Sequence, residues 1–148
     1  MDIDSTAVES LSKRHFDGNI LNVGKAFFAI HKPRHWIAAC IFFHEKRIVV
    51  YDSMKNAGEK GNEVFSNALL LFVRGQSEQN KEGGDTEGWE LVTDPEGIGK
   101  QQNSYDCGVF VCMYAHYLMK QENLNFTQLD ATAYRRKMKK IWTQALAN

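Results

Sequence analysis

At 148 residues, with 43% hydrophobic and 24% charged side chains, the chain has the size and composition of one globular domain with a buried core. Eighteen basic residues balance eighteen acidic ones, so bulk charge points to no nucleic-acid partner. No apolar run reaches the length of a membrane span, the opening MDIDSTAVES is unlike a signal peptide, and three irregularly spaced cysteines make no disulfide scaffold; a soluble protein of the cytosol or nucleus is expected.

In chain order, Ala26 to Ile30 (AFFAI) is a short apolar run and Trp36 to Phe43 (WIAACIFF) a second. Arg47 to Tyr51 (RIVVY) is a third, rich in β-branched residues, and all three predict strands. HEK, between the last two, is short enough for a hairpin turn. From Glu63 to Arg74 the apolar spacing becomes helical, and the following GQSEQNKEGGDTEG reads as an exposed, mobile loop. WELV predicts one more strand, and Cys107 to Lys120 and Ala131 to Leu146 two more helices. This order, βββ-α-β-α-α without an internal repeat, is that of an α+β domain: an antiparallel or mixed sheet with helices beside it. The basic run RRKMKK, Arg135 to Lys140, suits a nuclear-localisation or nucleic-acid patch. The balanced charge favours a solvated helix face instead, with Met138 and Ile141 turned inward.

The chemistry concentrates where the polar loop QQNSYD meets the apolar segment CGVFVCMYAHYLMK. Apolar residues cover nearly every face of that segment, which predicts a buried helix with Cys107 at its N-terminal end. Unpaired backbone N–H groups there favour negative charge, the form in which sulfur is a nucleophile. The alternative is an inert buried cysteine, the reading that Cys40 and Cys112 receive. A thiolate nucleophile needs a base, and the base an orienting partner. His35 opens the second strand and Asp52 closes the third, so pairing of these strands as a hairpin makes them neighbours at one sheet edge. Each also has a plainer reading, His35 as a strand-edge residue and Asp52 as a turn residue. His31, His35 and Cys40 offer zinc-ligand types, but the two histidines need helical spacing and Pro33 between them breaks a helix, so no metal is assigned. An oxyanion donor is offered by the Cys107 N–H and by the side-chain amide of Gln101 or Gln102.

HW opening a strand, YDS closing the next and QQNSYDCGVF opening a helix, in that order, resemble the ubiquitin-like-protein protease family, the cysteine proteases that process and remove SUMO and related modifiers. The resemblance runs from about Ala26 to the C-terminus and includes NFTQLDATAYRRKMKKIW. It implies a papain-like α+β core, a central mixed sheet flanked by helices, and one catalytic domain over residues 1–148. It also implies an N-terminal truncation, with 1–25 a divergent or remnant segment. By resemblance, His35 is the general base, Asp52 its orienter, Cys107 the nucleophile and Gln101 the oxyanion donor, with Gln102 structural. Trp36 matches an aromatic residue that packs over the substrate's Gly-Gly tail. The implied activity is cleavage after the C-terminal Gly-Gly of SUMO or another ubiquitin-like modifier, by a monomer without cofactors. QQNSYDCG is similar to the deneddylating branch and NFTQLD to the SUMO branch, which leaves the modifier open. Two other readings stand beside this one. One is a catalytically silent remnant that only binds a modifier or partner. The other is an acyltransferase of the YopJ type, against which Asp52 counts, since that class usually carries Glu as orienter.

Overall fold

The computed structural model describes residues 24–54, 61–79 and 87–147. Three strands come first, β1 (Lys25–Lys32), β2 (His35–Phe42) and β3 (Arg47–Tyr51), followed by helix α1 (Glu63–Gln79) and strand β4 (Glu90–Val92). Helices α2 (Cys107–Lys120) and α3 (Gln128–Leu146) complete the chain. The strands lie side by side in the order β1-β2-β3-β4. The first three are antiparallel and β4 is parallel to β3, so the sheet is mixed and the fold is α+β.

Local chemistry sets the start of β2. Pro33 presets φ for the first turn position, Arg34 takes the left-handed value of 59°, and Lys32 pairs with His35 to close the hairpin. His35 is thereby the first residue of its strand. From Ile37 to Ile41 the strand is buried without a break, because both faces of the sheet are covered. On one face Ala38, Cys40, Val49 and Tyr51 pack with Val109, Phe110, Met113 and Tyr114 of α2, and with Phe126 and Ala131. On the other, Ile37, Ala39, Ile41, Ile48 and Val50 pack with Leu69, Phe65 and Phe72 of α1.

Four expectations change. Helix α1 continues to Gln79, beyond the apolar periodicity, in keeping with the good helix propensity of Gln and Glu; residues 80–86 of the predicted loop lie outside the described residues, as does the N-terminal segment 1–23. Helix α3 starts at Gln128, not Ala131, since Thr127 and Asp130 form a reciprocal capping box. Ile141 is 51% exposed rather than turned inward, because α3 meets the core through its first turns, at Ala131 and Tyr134, and then runs past it. Cys112 is likewise exposed. Among the described residues no helix is long and apolar enough to cross a membrane.

The segment between β4 and α2 is tied to the core at Gly99, whose N–H donates to Leu124 O at 2.6 Å and whose carbonyl accepts from the Tyr114 hydroxyl at 2.6 Å. A Cβ on Gly99 would overlap the Phe126 carbonyl oxygen and lie 2.7 Å from its Cδ2. Gly99→Ala is therefore expected to destabilise the fold by about 1–3 kcal/mol, the usual cost of overpacking, read as a lower urea midpoint with an unchanged slope.

Candidate active site

The site begins at the sheet edge formed by the start of β2 and the end of β3. Ala38 pairs with Tyr51, so the residues after Tyr51 run alongside the first residues of β2. There His35 Nε2 lies 2.7 Å from Asp52 Oδ1. Asp52 is only 3% exposed, and a buried carboxylate requires donors. Besides His35, the Met54 N–H donates to Oδ1 at 3.1 Å and Asn62 Nδ2 to Oδ2 at 3.0 Å. Asn62 is itself held by Lys32 Nζ, which donates to its Oδ1 at 3.1 Å. Burial alone pushes the Asp52 carboxyl up, but the hydrogen bonds from Asn62, His35 and Met54, with the imidazole charge, hold it below the ordinary carboxylate range. An ionised carboxylate only accepts, so the neutral His35 ring carries its proton on Nε2 and leaves Nδ1 as the basic nitrogen.

The loop leading to α2 is fastened to the same edge. Lys100 Nζ donates to the Asp52 carbonyl at 2.9 Å, and the Gln101 N–H to the Ser53 carbonyl at 2.7 Å. Ser53 Oγ donates to Gln101 Oε1 at 2.5 Å, and Gln101 Nε2 donates to the Asn103 carbonyl at 2.6 Å. The Gln101 amide is thus oriented on both atoms and buried, with one of its two N–H hydrogens engaged in the loop. Gln102 keeps its side chain out of this network; its backbone N–H donates to Gln128 Oε1 at 2.8 Å.

Cys107 is the first residue of α2, 8% exposed, six positions after Gln101. Asp106 before it is 2% exposed and accepts from Asn103, Gln128 and Arg135. Burial would raise its carboxyl, but these three donors and the guanidinium charge hold it below the usual range. The other two cysteines differ in environment. Burial pushes the Cys40 thiol up to about 12, and what packing Cys112 has pushes its thiol up as well. Trp36 is 42% exposed beside His35, its ring 4.7 Å from that of His31, its partner across β1.

Hydrogen bonds therefore join His35 to Asp52, and Gln101 to Ser53 directly after Asp52. Cys107 and Trp36 are placed by the elements that carry them, and no hydrogen bond joins Cys107 to His35 among the described residues. Sequence reasoning missed Asn62, Ser53, Asn103, Asp106, Gln128 and Arg135. The one signal for them was the acid of the YDCG step, which stands where an N-cap is expected but beside a candidate thiolate.

A profile of the Ulp1 protease family, C-terminal catalytic domain, matches residues 9–146. A Caenorhabditis elegans sentrin-specific protease is 33% identical over 112 residues, 74% of this chain and 15% of that protein. Human sentrin-specific protease 2 is 31% identical over 115 residues, 76% of this chain and 18% of its own length. Among solved structures, the C-terminal Ulp1 protease domain in complex with Smt3, the yeast ortholog of SUMO, superposes with a TM-score of 0.67 at 28% identity, over 88% of this chain and 57% of that one. The Chaetomium thermophilum Ulp1-like SUMO protease catalytic domain gives 0.65 at 26% identity, over 79% and 45%. The chain thus spans less than a fifth of these protein relatives and about half of these solved domains.

The Asp52 network has a pH signature. Its folded pKa lies below the unfolded value, so its contribution is complete above about pH 4 and is lost as the pH falls through the folded pKa. Asn62→Ala is expected to lower stability by about 1–3 kcal/mol at neutral pH, the cost of removing a donor from a buried charged acceptor. It should also flatten the loss on acidification, measured by urea unfolding between about pH 2 and 7.

Proposed function

Because this chain belongs to the Ulp1 protease family, C-terminal catalytic domain, we propose that it is a cysteine peptidase that cleaves after the C-terminal Gly-Gly of SUMO. Family membership supports the reaction class. The observation that carries the site is the 2.7 Å bond from His35 Nε2 to a buried Asp52, which leaves Nδ1 as the base. SUMO is preferred over other modifiers because the relatives above are named sentrin-specific proteases and the Ulp1 domain is bound to the yeast SUMO.

In this reading the tail lies extended past Trp36, where glycines give the closest approach. His35 Nδ1 takes the Cys107 thiol proton, and Sγ attacks the terminal glycine carbonyl carbon. The developing oxyanion accepts from the Cys107 N–H and from the Gln101 amide N–H not engaged by Asn103. The imidazolium, paired with Asp52, then gives its proton to the leaving amine, and a thioester forms. Water, deprotonated by the same imidazole, hydrolyses the thioester and regenerates the thiol. Asp52 keeps the ring orientation and stabilises its charged form without itself becoming protonated.

The test uses SUMO, ubiquitin and the neddylation modifier, each carrying a C-terminal vinyl sulfone. A covalent adduct with the SUMO probe, absent in Cys107→Ala, is the expected outcome. No adduct from folded protein overturns the protease reading, and retained SUMO binding would then leave a binding role. A stronger adduct with another modifier overturns the substrate and keeps the mechanism. In turnover assays, Gln101→Ala is expected to lower kcat about 100- to 1,000-fold, as loss of an oxyanion donor does elsewhere.

A further inference from the structure

We propose that Arg135 and Gln128 of α3 are positioning residues for the Cys107 nucleophile, acting through the buried carboxylate of Asp106; this rests on the reading of Cys107 above. Asp106 occupies the N-cap position of α2, where an aspartate ordinarily accepts from the N–H groups of the first helical turn. Here it makes no side-chain cap, and its backbone, at φ −93° and ψ 8°, is not the extended one of a typical cap.

The carboxylate turns instead toward α3. Its Oδ2 accepts from Gln128 Nε2 at 2.8 Å and from Asn103 Nδ2 at 2.7 Å. Its Oδ1 accepts from Arg135 Nε at 2.7 Å, with the second guanidinium nitrogen at 2.5 Å. The same two α3 residues also hold the loop backbone: Arg135 donates to the Tyr105 carbonyl at 3.2 Å, and Gln128 Oε1 accepts from the Gln102 N–H at 2.8 Å. They stand seven residues apart, two helical turns, and so project from one face of α3.

Two consequences follow for the thiol. The N–H groups that an N-cap side chain normally covers, those of Gly108 and Val109, are left uncapped. The positive end of α2 therefore faces the thiol without a carboxylate laid across it. The negative charge directly before the nucleophile is also neutralised by a guanidinium, so it does not oppose a thiolate. Arg135 supplies charge and a planar fork together, and a lysine supplies the charge alone.

The experiment compares variants of this chain in a Cys112→Ser background, which removes the exposed thiol, while Cys40 stays fully buried. The readouts are the rate of Cys107 alkylation by iodoacetamide and kcat and KM on a SUMO-tail substrate. Arg135→Met is expected to slow alkylation and lower kcat at least about tenfold with KM within about twofold, and Arg135→Lys to recover part of both. Thr127→Ala breaks the capping box of the same helix without touching Asp106, and should leave both rates within about twofold. An unchanged alkylation rate in Arg135→Met, or an equal loss in Thr127→Ala, overturns the proposal. If circular dichroism shows Arg135→Met unfolded, Gln128→Leu replaces it, with an expected slowing of about threefold and the same overturning result. A parent that is alkylated in this variant-dependent way but never turns over SUMO refutes the protease reading and leaves the positioning role standing.

Discussion

A carboxylate that folding removes from water must be given hydrogen-bond donors, and at Asp52 those donors come from every side of the site. His35 reaches it from β2, Asn62 from the residue before α1, and the Met54 amide from the chain just beyond β3. The Asp52 carbonyl receives Lys100, and the carbonyl of the next residue, Ser53, receives the Gln101 N–H. Four separate stretches of chain are thereby held to one point. Without that point, the end of β3, the start of α1 and the loop before α2 would have no reason to share a geometry. The ionised state of Asp52 also fixes the histidine tautomer, so structural and chemical requirements coincide in the same bonds.

Asp106 repeats the logic directly before Cys107. It too is buried and satisfied by donors, Asn103 in the same loop and two distant ones, Gln128 and Arg135, on the last helix. Cys107 therefore follows a satisfied carboxylate tied to α3, at the end of a loop that is itself tied to the sheet edge. The sheet itself is covered on both faces, so neither edge residue can shift without disturbing a packed core. Rigid support of this kind is what the proposed nucleophile, base and oxyanion donor would require, since small misplacements cost large factors in rate.

Much of this was legible in the residues. The order of elements follows from periodicities: runs of β-branched and aromatic residues for the strands, helical apolar spacing at Glu63 to Arg74 and in the segment after Cys107. Cys107, His35 and Asp52 stood out because each sits at the end of an element, and a hairpin between β2 and β3 obliges the last two to be neighbours. The misjudged positions had a common cause. Cys112, Ile141 and the far end of α1 were read from apolar or polar character alone, and character does not say which face a neighbouring element covers.

The sequence by itself determined the strands, the helices and the chemically capable residue types, because backbone preferences and side-chain periods are local properties of the chain. Beyond the His35–Asp52 pair, tertiary structure decided which polar groups meet. Asn62, Ser53, Gln128 and Arg135 are unremarkable in the sequence, and their partners lie between 10 and 48 residues away along the chain. Such pairings leave no periodic trace. They arise because a folded core strips water from Asp52 and Asp106, and each buried charge then binds whichever donors the packing of distant elements brings within reach.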